Sequence, residues 1–108
     1  MIQASFERLN RGYRSMKVVD HGKTEVCNAV SAIAWALMGT VLDMEDPKPN
    51  IEYMHQDDGI IEITVSLFID EQEQKILDHV FHMAFIGFKQ IEQKYPQDIA
   101  VIVEKNTQ

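Results

Sequence analysis

Residues 25–44 decide most of what this chain can fold into. The stretch EVCNAVSAIAWALMGTVLDM carries Val26, Val30, Ile33, Ala34, Leu37, Met38, Val41 and Leu42 three and four residues apart, the spacing of a helix. Ala29, Ala32, Ala36 and Gly39 fill most of the remaining positions. A helix that is apolar nearly all round belongs inside a domain, covered on most sides, so it is expected at the centre. Thr24 reads as its N-cap, and Asp46-Pro47-Lys48-Pro49 ends the segment because proline disfavours helix before and within itself.

On either side of this helix the apolar period drops to two. Ile2, Ala4 and Phe6 alternate with Gln3, Ser5 and Glu7, which predicts a strand with one buried face. Asn10-Arg11-Gly12 supplies a turn and Tyr13–Val19 a returning strand. Further strands are expected over Ile51–His55 and Ile60–Phe68, joined by the hairpin signal Gln56-Asp57-Asp58-Gly59; Ile61, Ile63, Val65 and Leu67 form the buried side of the second. Asp70, with Glu73 three residues on, opens a second helix whose expected stripe is Ile76, Leu77, Val80, Phe81, Ala84, Phe88 and Ile91. Tyr95-Pro96 stops it, and Ile99–Val103 makes a last strand. The order ββαββαβ predicts an α+β domain, two helices packed on a mostly antiparallel sheet.

At 108 residues the chain is one domain, 1–108. Its net charge of −7 is uneven: residues 1–54 hold six basic and seven acidic groups, residues 55–108 four and ten. An acidic body repels phosphate backbones, so nucleic acid is not the expected partner. No unbroken apolar run reaches 18 residues and MIQASFERLNR lacks a signal-peptide core, so the expectation is a cytoplasmic protein without a membrane partner. A single cysteine excludes an internal disulfide and any multi-cysteine metal centre.

That cysteine has a telling position. With Thr24 as N-cap, Cys27 is the third helical residue, among backbone N–H groups that lack intrahelical acceptors and at the positive end of the helix dipole. Such a place favours thiolate over thiol. His21, six residues earlier, can take the proton and return it to a leaving amine, and the same N–H groups can hold an oxyanion. The plainer reading is a small buried hydrophobe beside an unrelated histidine.

The segment Asp20-His21-Gly22-Lys23-Thr24-Glu25-Val26-Cys27-Asn28-Ala29-Val30-Ser31-Ala32-Ile33 resembles the signature of the ribosomal-processing cysteine protease family (Prp, YsxB-like), which runs Gly-His-Ala, a loop, then Asp-Ile-Val-Cys-Ala-Ala-Val-Ser-Ala-Leu. Val26-Cys27 and Ala29–Ala32 match, and Lys94-Tyr95-Pro96 before Ile99–Glu104 resembles the family's C-terminal end. The resemblance implies a homodimeric cysteine endopeptidase with Cys27 as nucleophile, His21 as base and Ser31 as a further active-site residue. It implies no cofactor and no metal, and a protein substrate: the N-terminal extension of a ribosomal protein, or a phage capsid or scaffold protein. Asp20 and Gly22 flank the histidine where the family has Gly and Ala. Thr24 stands where the family has Asp, and only five residues separate His21 from Cys27, about half the family's loop. These departures leave a second reading, a non-catalytic dimeric module that binds a ribosomal or phage structural protein.

Other residues have simpler expectations. His79 and His82, three apart on the second helix, read as a solvated or half-buried pair, and His55 as exposed beside an acidic turn. Arg8, Arg11, Arg14 and Lys17 make the first hairpin basic, as a solvated edge or a dock for an acidic peptide. Trp35, Met38 and Met44 read as core, with a dimer seam as the other place for Trp35.

Overall fold

A computed structural model of the chain describes residues 1–19, 24–57 and 59–106. The elements are β1 (Ile2–Leu9), β2 (Gly12–Val19), α1 (Thr24–Asp43), β3 (Ile51–Asp57), β4 (Ile60–Val65), α2 (Glu71–Lys94) and β5 (Ile99–Lys105), the order and class read from the sequence. The strands form one sheet in the order β3-β4-β2-β1-β5. Three of its pairings are antiparallel; β5 returns after α2 to lie parallel to β1, so the sheet is mixed.

Both helices cover one face of the sheet. The alternation in β1 does what its period requires: Ile2, Ala4 and Phe6 are buried while Gln3 is exposed. In β4, Ile61, Ile63 and Val65 are buried, and the strand ends there, so Leu67 lies beyond it, half-buried. These side chains meet Val26, Val30, Ala34, Leu37, Met38 and Val41 of α1 and Leu77, Phe81, Ala84 and Phe88 of α2 in one core. Phe6 stands 5.8 Å from the rings of Tyr13, Phe85 and Phe88, and burying each such ring contributes roughly 1.5–3 kcal/mol.

The helices differ from their expected placement in instructive ways. Asp70 caps α2 as expected, its carboxylate accepting from the N–H groups of Gln72 and Glu73 at 2.8 and 3.0 Å. Ile76, assigned to the buried stripe, is instead 47% exposed, and Gln74 takes a buried place. The stripe follows Leu77, Phe81, Ala84 and Phe88, the narrower face that a single sheet layer can cover. α1 begins at Thr24, which makes Thr24 its first residue rather than its cap and Cys27 its fourth. Nor is α1 central. It lies on the sheet beside α2, with Ala29, Ala32, Ala36, Gly39 and Leu42 exposed, and Trp35, expected in the core, is 51% exposed. In length and composition α1 would suit a membrane span, yet its Val26–Val30–Ala34–Leu37–Val41 face packs on the sheet. At Gly87 a Cβ would stand 2.9 Å from Ile33 Cδ1, so a side chain there would have to push the end of Ile33 aside where the two helices meet.

The end of the sheet at the β1–β2 turn is locked by polar contacts. Gln74 donates to Asp78 Oδ1 at 2.9 Å and accepts from the Phe68 N–H at 2.7 Å. Asp78 Oδ1 also accepts from the Tyr13 N–H at 2.9 Å. Arg11 donates to the carbonyls of Phe68 and Ile69. A Cβ on Gly12 would stand 2.7 Å from Asp78 Oδ1, so glycine is needed for helix and turn to approach this closely.

Candidate active site

The opposite end of the sheet holds the residues singled out for chemistry. Cys27, in the first turn of α1, is half-buried and packs against the core. Ser31 follows one turn later, about 6 Å along the axis, and Trp35 one turn after that. His21 lies outside the described residues, as does Asp58. The pairing of His21 with Cys27 therefore remains an inference from the sequence.

β2 ends at Val19, opposite Ile60 at the start of β4, so the β3–β4 hairpin stands beside the α1 N-terminal half. Between them is a hollow of about 260 Å³ lined by Ser31, Trp35, Gln56, Asp57, Gly59, Ile60 and Ile61. Gly59, at φ 76°, makes the turn that brings Asp57 and Ile60 together. His55 does not stand alone: its Nε2 lies 2.7 Å from Asp57 Oδ1, and its ring stacks on Tyr53. Of the expected site, then, the structure brings Cys27 and Ser31 onto one helix face and adds Trp35, Gln56 and Asp57. Sequence reasoning had assigned those three to core or hairpin. A signal was present, since Cys27, Ser31 and Trp35 recur every four residues and so share a stripe.

The remaining candidates have structural work. Tyr13 O–H and His82 Nδ1 are 2.9 Å apart, and the His82 ring stacks on Phe85, so His82 partners a buried phenol. Burial pushes the Tyr13 hydroxyl up from its ordinary value; the Arg8 guanidinium, 4.5 Å from the ring centroid, opposes this and Asp78 reinforces it. His79 is exposed on the same helix. Among the described residues no three His, Cys, Asp or Glu side chains gather to hold a metal.

The basic hairpin is already committed. Arg14 bridges Glu7 at 3.2 Å and Glu52 at 3.1 Å, Arg8 covers Tyr13, and Arg11 holds two carbonyls. The hollows at that end, up to about 510 Å³ beside Arg11, Arg14 and Glu52, are gaps among these paired charges. The solvated-edge reading fits Arg8, Arg11 and Arg14 better than an acidic-peptide dock.

The family and the fold both have known counterparts. A family model described as cysteine protease Prp matches residues 1–100. Among solved structures, the fold is similar to SMU.848 from Streptococcus mutans, at TM-score 0.76 and 21% identity, covering 98% of this chain and 96% of that one. It is also similar to the essential ribosomal processing protease Prp from S. aureus with a covalently linked product peptide, at TM-score 0.77 and 15% identity over 96% of this chain and all of that one. The same S. aureus protease with a substrate peptide gives TM-score 0.65 and 20% identity over the whole of both chains. No curated protein shows a significant sequence match.

Proposed function

The chain belongs to the cysteine protease Prp family, and from that premise we propose that it is an endopeptidase that trims a segment near the N-terminus of a ribosomal or phage structural protein. The observation that carries the reading is Cys27 in the first turn of α1, half-buried, with Ser31 one turn on at the wall of an open hollow. A thiol there is favoured as thiolate by the helix terminus.

In the proposed mechanism the Cys27 thiolate attacks the scissile carbonyl carbon. The oxyanion is held by N–H groups of the first turn of α1, with Ser31 in support, and His21 carries the proton. Collapse of the tetrahedral species breaks the C–N bond as His21 protonates the leaving amine. Water then hydrolyses the thioester, giving up its proton to His21 and freeing Cys27. No cofactor or metal enters any of these steps. Thr24, where the family has Asp, leaves the orientation of His21 to other groups. The S. aureus protease held with a covalently linked product peptide supports a peptide reaching such a site.

The reading includes a cytoplasmic homodimer. Trp35 and Leu42 of α1 with Ile76, Met83 and Ile86 of α2 leave the helix layer more apolar than solvent alone requires. A two-fold pairing is expected to bury at least ~1,000 Å². Light scattering at micromolar concentration tests it, and a monomer of about 12 kDa would refute it.

Incubating wild type and Cys27→Ala with ribosomal and capsid precursors, read by intact mass, tests the activity. A shortened precursor with wild type alone supports the protease. Precursor capture by both proteins without cleavage supports the second reading, a binding module, which the short His21–Cys27 segment and Thr24 favour.

A further inference from the structure

β3 is one edge of the sheet, and its register fixes which of its backbone groups are free. Asp57 pairs with Ile60 directly across the Gly59 turn, so these two residues exchange their N–H and C=O hydrogen bonds. At the far end the Ser66 N–H donates to the Asn50 carbonyl at 2.9 Å, which sets the same alternation from the other side of the bulge. Tyr53 and His55 accordingly turn their backbone groups to β4. Met54 and Gln56 turn theirs off the edge.

Sheet edges are usually guarded against stray pairing. At the opposite edge the Glu92 carboxylate occupies the Val101 N–H at 2.8 Å. β3 carries neither Pro nor Lys, Met54 is 45% exposed, and among the described residues nothing is bonded to the outward groups of Met54 and Gln56. The strand also has a direction. It runs toward the sheet end where Ile60 stands opposite Val19, and α1, with Cys27 in its first turn, starts five residues after Val19. A second copy is a poor occupant. The unbulged stretch is only Tyr53–Asp57, far short of the ~20–30 residues a side that hold two proteins together. A polypeptide that is also held at Cys27 does not need the edge to carry all of its affinity.

We propose that the substrate polypeptide docks on β3 as a sixth strand, exchanging backbone hydrogen bonds with Met54 and Gln56. That the added strand is substrate rests on the protease reading; the pairing itself does not. Backbone pairing tolerates many side chains but demands an extended segment with free N–H groups, so proline opposite Met54 or Gln56 is excluded. The residue opposite Gln56 points to the helix side, where Gln56 shares a hollow with Ser31 and Ile61.

The probe is the blocked heptapeptide Lys-Thr-Val-Thr-Val-Thr-Lys, titrated into Cys27→Ala protein and followed by amide NMR. The Met54 and Gln56 signals are expected to shift saturably. At nine-tenths occupancy their hydrogen exchange should slow about tenfold, because only the free tenth exchanges, while Tyr53 and His55 stay as protected as before. A peptide of the same length and charge with five prolines at its centre should do neither. Gln56→Pro removes an outward N–H that β4 does not use, so it should abolish the response with Tyr53 and His55 still protected. If that variant fails to fold, the proline peptide decides alone. The proposal is overturned if the heptapeptide gives no saturable shift, if the proline peptide matches it, or if folded Gln56→Pro responds like its parent. Protection of Met54 and Gln56 that grows with concentration in the free protein would place a second copy on the edge and overturn it too. Precursor cleavage is scored separately. None by wild type sinks the protease and leaves the NMR result standing, whereas cleavage unaltered by folded Gln56→Pro sinks the docking edge and leaves the protease.

Discussion

The two ends of β2 lie about 25 Å apart along the sheet and use their polar groups in opposite ways. At the Gly12 end, one carboxylate oxygen of Asp78 serves both Tyr13 and Gln74, Gln74 serves Phe68, and Arg11 closes the β4–α2 turn. The polar side chains there are spent on holding a helix to a turn. At the Val19 end, half-exposed Trp35 stands at a hollow beside Ser31, one turn along α1 from Cys27, and the His55–Asp57 pair is on the neighbouring hairpin. The polar contacts that tie helix to turn are concentrated at one end, and the other leaves Trp35 half-exposed.

If that division holds, substitutions at the two ends should move different observables. The largest effect is expected from Cys27→Ala, which should reduce precursor cleavage to background while leaving the thermal midpoint nearly unchanged. A large drop in the midpoint would make Cys27 a packing residue instead. Phe81→Ala, under the stack with Tyr13 at 5.8 Å, should lower stability by about 3–5 kcal/mol in urea unfolding, with cleavage by the folded fraction unchanged. Asp78→Ala leaves the Tyr13 and Gln74 donors without their acceptor and should cost about 1–3 kcal/mol, again without altering which precursor is cut.

The smallest effect belongs to the β5 edge, where Glu92 accepts from Lys89 at 2.6 Å and from the Val101 N–H at 2.8 Å. Lys89 first, then the Val101 N–H, hold the Glu92 carboxyl below its ordinary range. A carboxyl lowered on folding contributes stability that is whole above the unfolded value of about 4.3 and fades as pH falls through the lower folded value. Glu92→Gln should therefore differ from wild type more at pH 7 than at pH 3, and equal differences at both would remove the claim.

The two sheet edges repeat the contrast in miniature. β5 has a backbone donor tied to α2, whereas β3 at the other edge carries exposed Tyr53 and Met54. Here, too, the less covered side is the one nearer Trp35.

Much of this was legible in the residues. Period-two runs located β1 and β4, Asp70 marked the start of α2, and the run from Val26 to Ser31 pointed to the family and to the helix of the proposed nucleophile. These signals are local: alternation, capping and a contiguous motif depend on neighbours a few residues away. What failed was the environment of each helix face. α1 looked central because apolar residues surround it, and Ile76 looked buried because it fits a stripe, yet one sheet layer covers only one side of each helix. Composition gives a helix's appetite for burial, but which face is met depends on where the sheet lies. Only the tertiary structure decided that Trp35 stands half-exposed at a hollow shared with Ile61, because those residues are 26 positions apart and only the packing of α1 on the sheet brings them together.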